Sequence, residues 1–110
     1  MAAAVAAGRI VPVDAEPTLS HSTAGGIEED AITFELCRTR VHDWIRVSEA
    51  EIAASVRDMI EGEHQLVEGA AGVAFAAARR IAEREPDARV MVVSCGARLT
   101  RSELRQVMKD

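Results

Sequence analysis

The chain has 110 residues, enough for one domain with a modest core. Hydrophobic residues make up 48% but aromatic ones only 3%, so the interior must be built from Ala, Val, Ile and Leu. The formal net charge of -5, with one lysine and scattered arginines, excludes the clustered cations that nucleic-acid binding needs. No apolar run is long enough to cross a bilayer. Cys37 and Cys95 show no paired C-x-x-C spacing and suit a reducing, cytoplasmic compartment better than a disulfide framework. The opening MAAAVAAG has no positive leader, and Arg9 follows its short apolar run, so it does not read as an export signal.

Residues 1–7 resemble the last turns of a helix stopped by Gly8, which tolerates left-handed geometry. A chain that begins inside a helical pattern looks cut. Residues 9–30 hold Pro12, Pro17, the polar cluster Ser20-His21-Ser22-Thr23 and Gly25-Gly26. That is longer than an idle connection and points to a functional loop or one that leans on something else. Asp30 is placed to cap a short helix carrying Ile32, Leu36 and Cys37, with Phe34 packed beneath it. Trp44-Ile45-Arg46-Val47 alternates weakly, as an edge strand would.

The stretch from Ser48 to Cys95 organises the rest as two packed helices feeding a buried strand. Ser48 and Glu51 predict a capping box, followed by Ile52, Val56, Met59 and Ile60 on one helical stripe. Residues 66–81 predict a central helix, because Ala70, Ala71, Gly72, Ala74, Ala76, Ala77 and Ala78 leave it almost without bulk and open to close approach. After Pro86 and Asp87, the run Val90-Met91-Val92-Val93 is short, continuous and β-branched, as in a strand covered on both faces. The expected class is α/β. Ligands of such sheets sit beyond the carboxyl ends of the strands, where Ser94-Cys95-Gly96 lies. Thr100 and Glu103 predict a second capping box, opening a last helix with Leu104, Val107 and Met108 on one side.

Among single residues, Glu68 stands out because it interrupts an apolar helical run. Such a carboxylate caps the helix, pairs with a charge, or serves a site. Cys95 taken alone reads as a small buried hydrophobe, with no base marked beside it. His21, His42 and His64 lie far apart without a carboxylate or thiol at ligand spacing, so they read as surface histidines and no metal site is predicted. Glu28, Glu29 and Asp30 read as a solvated turn and a cap rather than an acid/base pair. Gly25-Gly26 is a weak phosphate signal and reads as a turn.

The order of these pieces is itself a signature. The run GGIEEDAITFELCRTRVHDWIRVSEAEIAASVRDMIEGEHQLVEGAAGVAFAAARR, the corner Ser94-Cys95-Gly96 and the opening AAAVAAGRIVPV resemble the C-terminal part of the pyridoxal-phosphate-dependent serine/threonine dehydratases. These are fold-type II ammonia-lyases, similar also to serine racemase, and the resemblance covers essentially the whole chain. It implies a single C-terminal segment over residues 1–110, mostly helical with one or two strands of a larger sheet. It further implies pyridoxal 5'-phosphate as cofactor and, in the parent reaction, deamination of a small hydroxy-amino acid to a 2-oxo acid and ammonia.

Carried over residue by residue, the resemblance places Cys95 at the pyridine nitrogen, followed by Gly96. Glu68, of the Val-Glu-Gly motif, lines the ring, and Ser22 supplies backbone beside it. The chain departs from the family where His21-Ser22 replaces Asp-Gly and where Ala97-Arg98 replaces Gly-Asn. The family's Schiff-base lysine, its substrate-carboxylate loop and its Gly-rich phosphate loop have no counterpart here; Lys109, the one lysine, matches no motif. The expectation is a truncated or split dehydratase that is inactive alone and depends on an N-terminal complementing chain or a homo-oligomer. The alternative is a non-enzymatic remnant or small interaction module. Neither nucleic acid nor membrane is an expected partner.

Overall fold

Local capping chemistry decides where the helices begin, and the helices carry the fold. The structure, a computed structural model, describes residues 1–109. Its elements are α1 (Ala2–Ala7), a 3-10 turn (His21–Thr23), α2 (Thr33–Arg40), α3 (Glu49–Gly62), α4 (Gly69–Arg84) and α5 (Arg101–Val107). Two compact units result: Met1–Glu16 with Ala24–Ile45, and Pro17–Thr23 with Arg46–Asp110.

In the first unit α1 packs against α2. Gly8 closes α1 in the left-handed conformation (φ 67), its N–H and that of Arg9 reaching back to Val5 and Ala4. The predicted Asp30 cap does not form. Residues 28–31 make a hydrogen-bonded turn instead, Ala31 N–H to the Glu28 carbonyl at 3.1 Å, and the Ala31 carbonyl then takes the Phe34 amide at 2.9 Å. Ile32 occupies the cap position without a side-chain acceptor. Phe34 and Cys37 are half-buried, whereas Ile32 and Leu36 are exposed.

In the second unit both predicted capping boxes are present. Ser48 accepts from the Glu51 N–H while Glu51 takes the Ser48 N–H at 2.7 Å; Thr100 and Glu103 repeat the pattern at 3.2 and 2.6 Å. Ile52 and Val56 from α3, Val67, Ala71 of α4, Val107 of α5 and Leu19 form the core, with Met59 and Ile60 packed against it. The predicted small-residue contact is real: a Cβ on Gly72 would stand 2.7 Å from Val56 Cγ2 and 3.0 Å from the Ile52 carbonyl oxygen. Glycine therefore sets how closely α4 approaches α3. Arg80 pairs with Glu51 and donates to the Arg46 carbonyl at 2.8 Å, and Arg79 pairs with Asp58. Arg57 holds the end of α5 by donating to the Val107 and Lys109 carbonyls at 2.7 and 2.8 Å. The chain leaves α3 through His64, a non-glycine residue at φ 56, while the Gln65 N–H returns to the Met59 carbonyl at 2.9 Å.

No strand forms among the described residues, so the α/β expectation is not met within this chain. Residues 90–93 remain non-helical, with Met91 94% and Val93 69% exposed. A strand exists only as part of a ladder, and no described segment runs beside this one to accept its hydrogen bonds. Residues 44–47 likewise lie outside any ladder. The central helix also begins three residues later than predicted, at Gly69, leaving Leu66 exposed and Val67 buried.

Two predictions follow from this packing. Gly72→Ala lowers stability in urea unfolding by about 1–3 kcal/mol, the range for overpacking. Gly62→Ala, where nothing lies within 4 Å of the new methyl, is neutral or stabilising by up to about 1 kcal/mol. Equal effects would show that the α3–α4 approach is not limiting. The second prediction concerns acid. The Ser48 amide, then its hydroxyl, then Arg80 draw the Glu51 carboxyl from 4.5 down to about 2. Its folded value lies below its unfolded one, so its stabilisation is present above 4.5 and lost as pH falls toward 2. The urea midpoint should fall across that window, and Glu51→Gln should flatten the fall.

Candidate functional site around Glu68

Three segments distant in sequence converge at the start of α4. Glu68 occupies the cap position in extended geometry, yet its side chain makes no cap hydrogen bond to the helix. Its carboxylate turns outward. Ser22 Oγ donates to Oε1 at 2.8 Å and the Arg98 N–H donates to Oε2 at 3.1 Å. The Glu68 N–H in turn reaches the Gly96 carbonyl at 3.2 Å. Of the three roles open to this residue in the sequence, capping is not the one adopted: the carboxylate takes donors from Ser22 and Arg98 instead.

Gly96 is required by this arrangement. It sits at φ 78, and a Cβ there would lie 2.5 Å from the Glu68 Cδ. Any side chain would both strain the backbone and displace the carboxylate. On the other flank Gly69 admits the Leu19 carbonyl, which a Cβ would overlap.

That close pass brings in the segment Pro17–Thr23, which three helix-start carboxylates hold. Glu49 of α3 accepts from the Leu19 N–H at 2.8 Å and from the Thr18 hydroxyl at 2.5 Å. Glu68 accepts from Ser22. Glu103 of α5 pairs with His21 Nε2 at 3.0 Å. Leu19 is buried in the core, and the buried Ser20 hydroxyl is satisfied by Thr23. The Thr100 hydroxyl and N–H hold the Glu103 carboxyl below the usual carboxylate range, and His21 adds to the effect. Its charge therefore persists into mild acid.

Beneath the segment opens a cleft of about 340 Å³ lined by Leu19, His21, Ser22, Glu68, Gly69, Arg98, Leu99, Thr100 and Glu103. Its size is at the small end of ligand pockets, about 300–1,000 Å³. Of the four residues marked in the sequence, Ser22, Glu68 and Gly96 come together. Cys95 is next to Gly96 in the chain but is exposed and does not line the cleft, contrary to the buried reading. It lies on the loop after residues 90–93, and without a sheet nothing covers it. Sequence reasoning saw Glu103 only as a cap partner and His21 only as a surface residue. It did not find Glu49 or Leu19 as site-forming groups, because no local pattern marks a carboxylate whose partner is some 30 positions away.

Comparison with known proteins fits this convergence. The family of the pyridoxal-phosphate dependent enzymes matches over residues 1–96, which includes Ser22, Glu68 and Gly96. The chain belongs to that family. It is similar to the "Putative threonine dehydratase" of Sinorhizobium fredii (strain NBRC 101917 / NGR234), with 42% identity over 78 residues. That stretch is 70% of this chain and 24% of the relative, so the chain spans about a quarter of the length of the protein it matches. Pyridoxal phosphate is the cofactor of that family.

The Glu68 carboxylate makes a local prediction. Glu68→Ala should speed amide exchange at Arg98 by about tenfold, the loss of one hydrogen bond to a charged acceptor. Exchange in the middle of α3, at Val56, should not change. Unchanged exchange at Arg98 would mean that the carboxylate does not hold the corner.

Proposed function

We propose that this chain forms one wall of the cofactor site of a serine/threonine dehydratase-type enzyme of fold type II. The parent reaction is deamination of a hydroxy-amino acid to a 2-oxo acid and ammonia. The observation that carries this reading is the meeting of Ser22 and Gly96 at Glu68, the Ser22 hydroxyl donating to its carboxylate and the Gly96 carbonyl accepting from its N–H, beside a cleft of ligand size. The 42% identity to a protein named as a threonine dehydratase supports the substrate class.

The residues present fit one side of pyridoxal phosphate. Leu19 and Leu99 offer apolar surface in the cleft, and Gly69 lets the Leu19 backbone close over it. Glu68 and Ser22 would border the ring, and Cys95 would meet the pyridine nitrogen once neighbouring strands fold its loop inward. When bound, the cofactor supplies the electron sink for breaking bonds at the α-carbon. The residues of this chain orient it and shield one face from water. They offer no amine for covalent attachment, because Lys109 does not line the cleft.

In the same reading residues 90–93 pair as a strand within an α/β sheet to which other segments of the enzyme contribute. The chain acts together with an N-terminal complementing region, in the cytoplasm. Among the described residues no helix is long and apolar enough to cross a membrane.

The test is assembly. The purified chain, given pyridoxal phosphate and L-serine or L-threonine, should release no 2-oxo acid. Co-expression with the amino-terminal three quarters of the similar dehydratase should restore release and bind the two polypeptides together. Turnover by the chain alone, or no association with the complementing region, would overturn the proposal.

A further inference from the structure

One helix face in the first unit is left uncovered by the chain. Ile32 at the cap position of α2 is already in helical geometry (φ -57, ψ -24), so Ile32 and Leu36, four residues apart, share one stripe. They are 86% and 59% exposed, whereas Phe34 and Cys37 on the other side are half-buried. Charge is divided lengthwise over the same stretch. Glu28, Glu29 and Asp30 precede the helix, and Arg40 closes it. Arg38 is already paired with Glu35. The side chains of Glu28, Glu29, Asp30 and Arg40 make no hydrogen bond or ion pair among the described residues. The exposed stripe is therefore apolar, with an open acidic entry and an open basic exit.

Such a surface is complementary to itself. Two copies of α2 laid antiparallel, about a two-fold axis between residues 32 and 36, set Ile32 of each copy against Leu36 of the other. The same register brings Arg40 to residue 28, since Arg40 lies as far beyond Leu36 as Glu28 lies before Ile32. Acidic entry then meets basic exit twice, and the opposed helix dipoles favour the same arrangement. A parallel alignment would set acids against acids and Arg40 against Arg40, which like-charge repulsion disfavours. We propose that the Ile32–Leu36 face of α2 is a self-association surface, and that its partner is a second copy of this chain in antiparallel, two-fold contact. Two apolar side chains per copy cover far less than the roughly 1,200 Å² at which standard interfaces begin, so the contact is weak and reversible. It goes beyond the cofactor reading and is independent of it: its residues belong to the first unit, and those of the cleft to the second.

The experiment is sedimentation equilibrium of the purified full chain without cofactor, joined to NMR dilution of the Ile32 and Leu36 methyl signals. Both should report a monomer–dimer equilibrium, with methyl shifts that grow with concentration. Leu36→Ser should weaken association at least about tenfold. Leu66→Ser, at a leucine of similar exposure (52%) in the second unit, should leave it unchanged. Arg40→Glu alone should weaken association about tenfold, and so should the double variant Glu28→Lys, Glu29→Lys. An equimolar mixture of these two variants should recover it to within about threefold, because each supplies the charge that the other lacks. Unaltered Phe34 ring signals in every variant establish that α2 is kept. Shifts independent of concentration, equal losses in Leu36→Ser and Leu66→Ser, or no recovery on mixing would each overturn the proposal. So would capture of the face by another occupant: if the amino-terminal three quarters of the similar dehydratase moves the Ile32 and Leu36 signals and abolishes self-association, the surface belongs to that region. Failure of the dehydratase assembly test leaves these readouts unchanged, so the two readings fall separately.

Discussion

The second unit depends on how one seven-residue segment is held. Pro17–Thr23 belongs by sequence to the loop region but by contact to the helices, and the attachment is acidic at every point. Glu49, Glu68 and Glu103 each stand at the start of a different helix, and each accepts from this segment. Carboxylates at helix starts are already favoured by the positive end of the helix dipole. The segment thus binds to groups that the helices position for their own reasons. Leu19 adds the apolar anchor, sunk to 6% exposure among Val56, Val67 and Val107. Polar attachments at partly exposed sites contribute little individually. The buried leucine and the close pass over Gly69 make the register unique.

Because the segment is fixed, the cleft beneath it has a defined lining. His21 and Ser22 face it because the 3-10 turn projects both toward helix starts; Arg98 and Leu99 face it because the corner after Gly96 is tied to Glu68 by bonds in both directions. A site built from loops is normally less exact than one built on helices. Here the loops are pinned to helix termini, which restores much of that definition. The chain matches its family over residues 1–96 and spans about a quarter of its relative.

How much of this was legible depended on the range of each interaction. Capping boxes at Ser48 and Thr100 span three residues, and both formed as the sequence predicts. The apolar stripe of α3 and the small-residue face of α4 are periodic, and the core follows them. Asp30 shows the limit of even local rules: a turn over residues 28–31 forms in place of the side-chain cap, and its Ala31 carbonyl takes the Phe34 amide. Residues 90–93 show a different limit. Their β-branched composition states a preference for a ladder, but a preference forms no strand without a partner, and the exposure of Met91 and Cys95 follows directly. The family resemblance grouped Cys95, Gly96, Glu68 and Ser22 around a cofactor ring; the structure brings Ser22, Glu68 and Gly96 together and leaves Cys95 exposed. Spacing alone could not group them, since 46 residues separate the Ser22 hydroxyl from the carboxylate it meets.

Glu68 finally explains why the site sits at the start of α4 and not elsewhere. The short acceptors Ser, Thr, Asp and Asn are the side chains that cap a helix start well; Glu68 is not one of them, and its carboxylate turns away from the helix. The missing cap is replaced by donors from Ser22 and Arg98, and a backbone bond to Gly96, all closing around one charged residue. Local rules broken in this way, with the compensation made at long range, concentrate where a fold serves chemistry rather than its own stability. The geometry at Glu68 is therefore set by its partners across the chain, Ser22, Gly96 and Arg98.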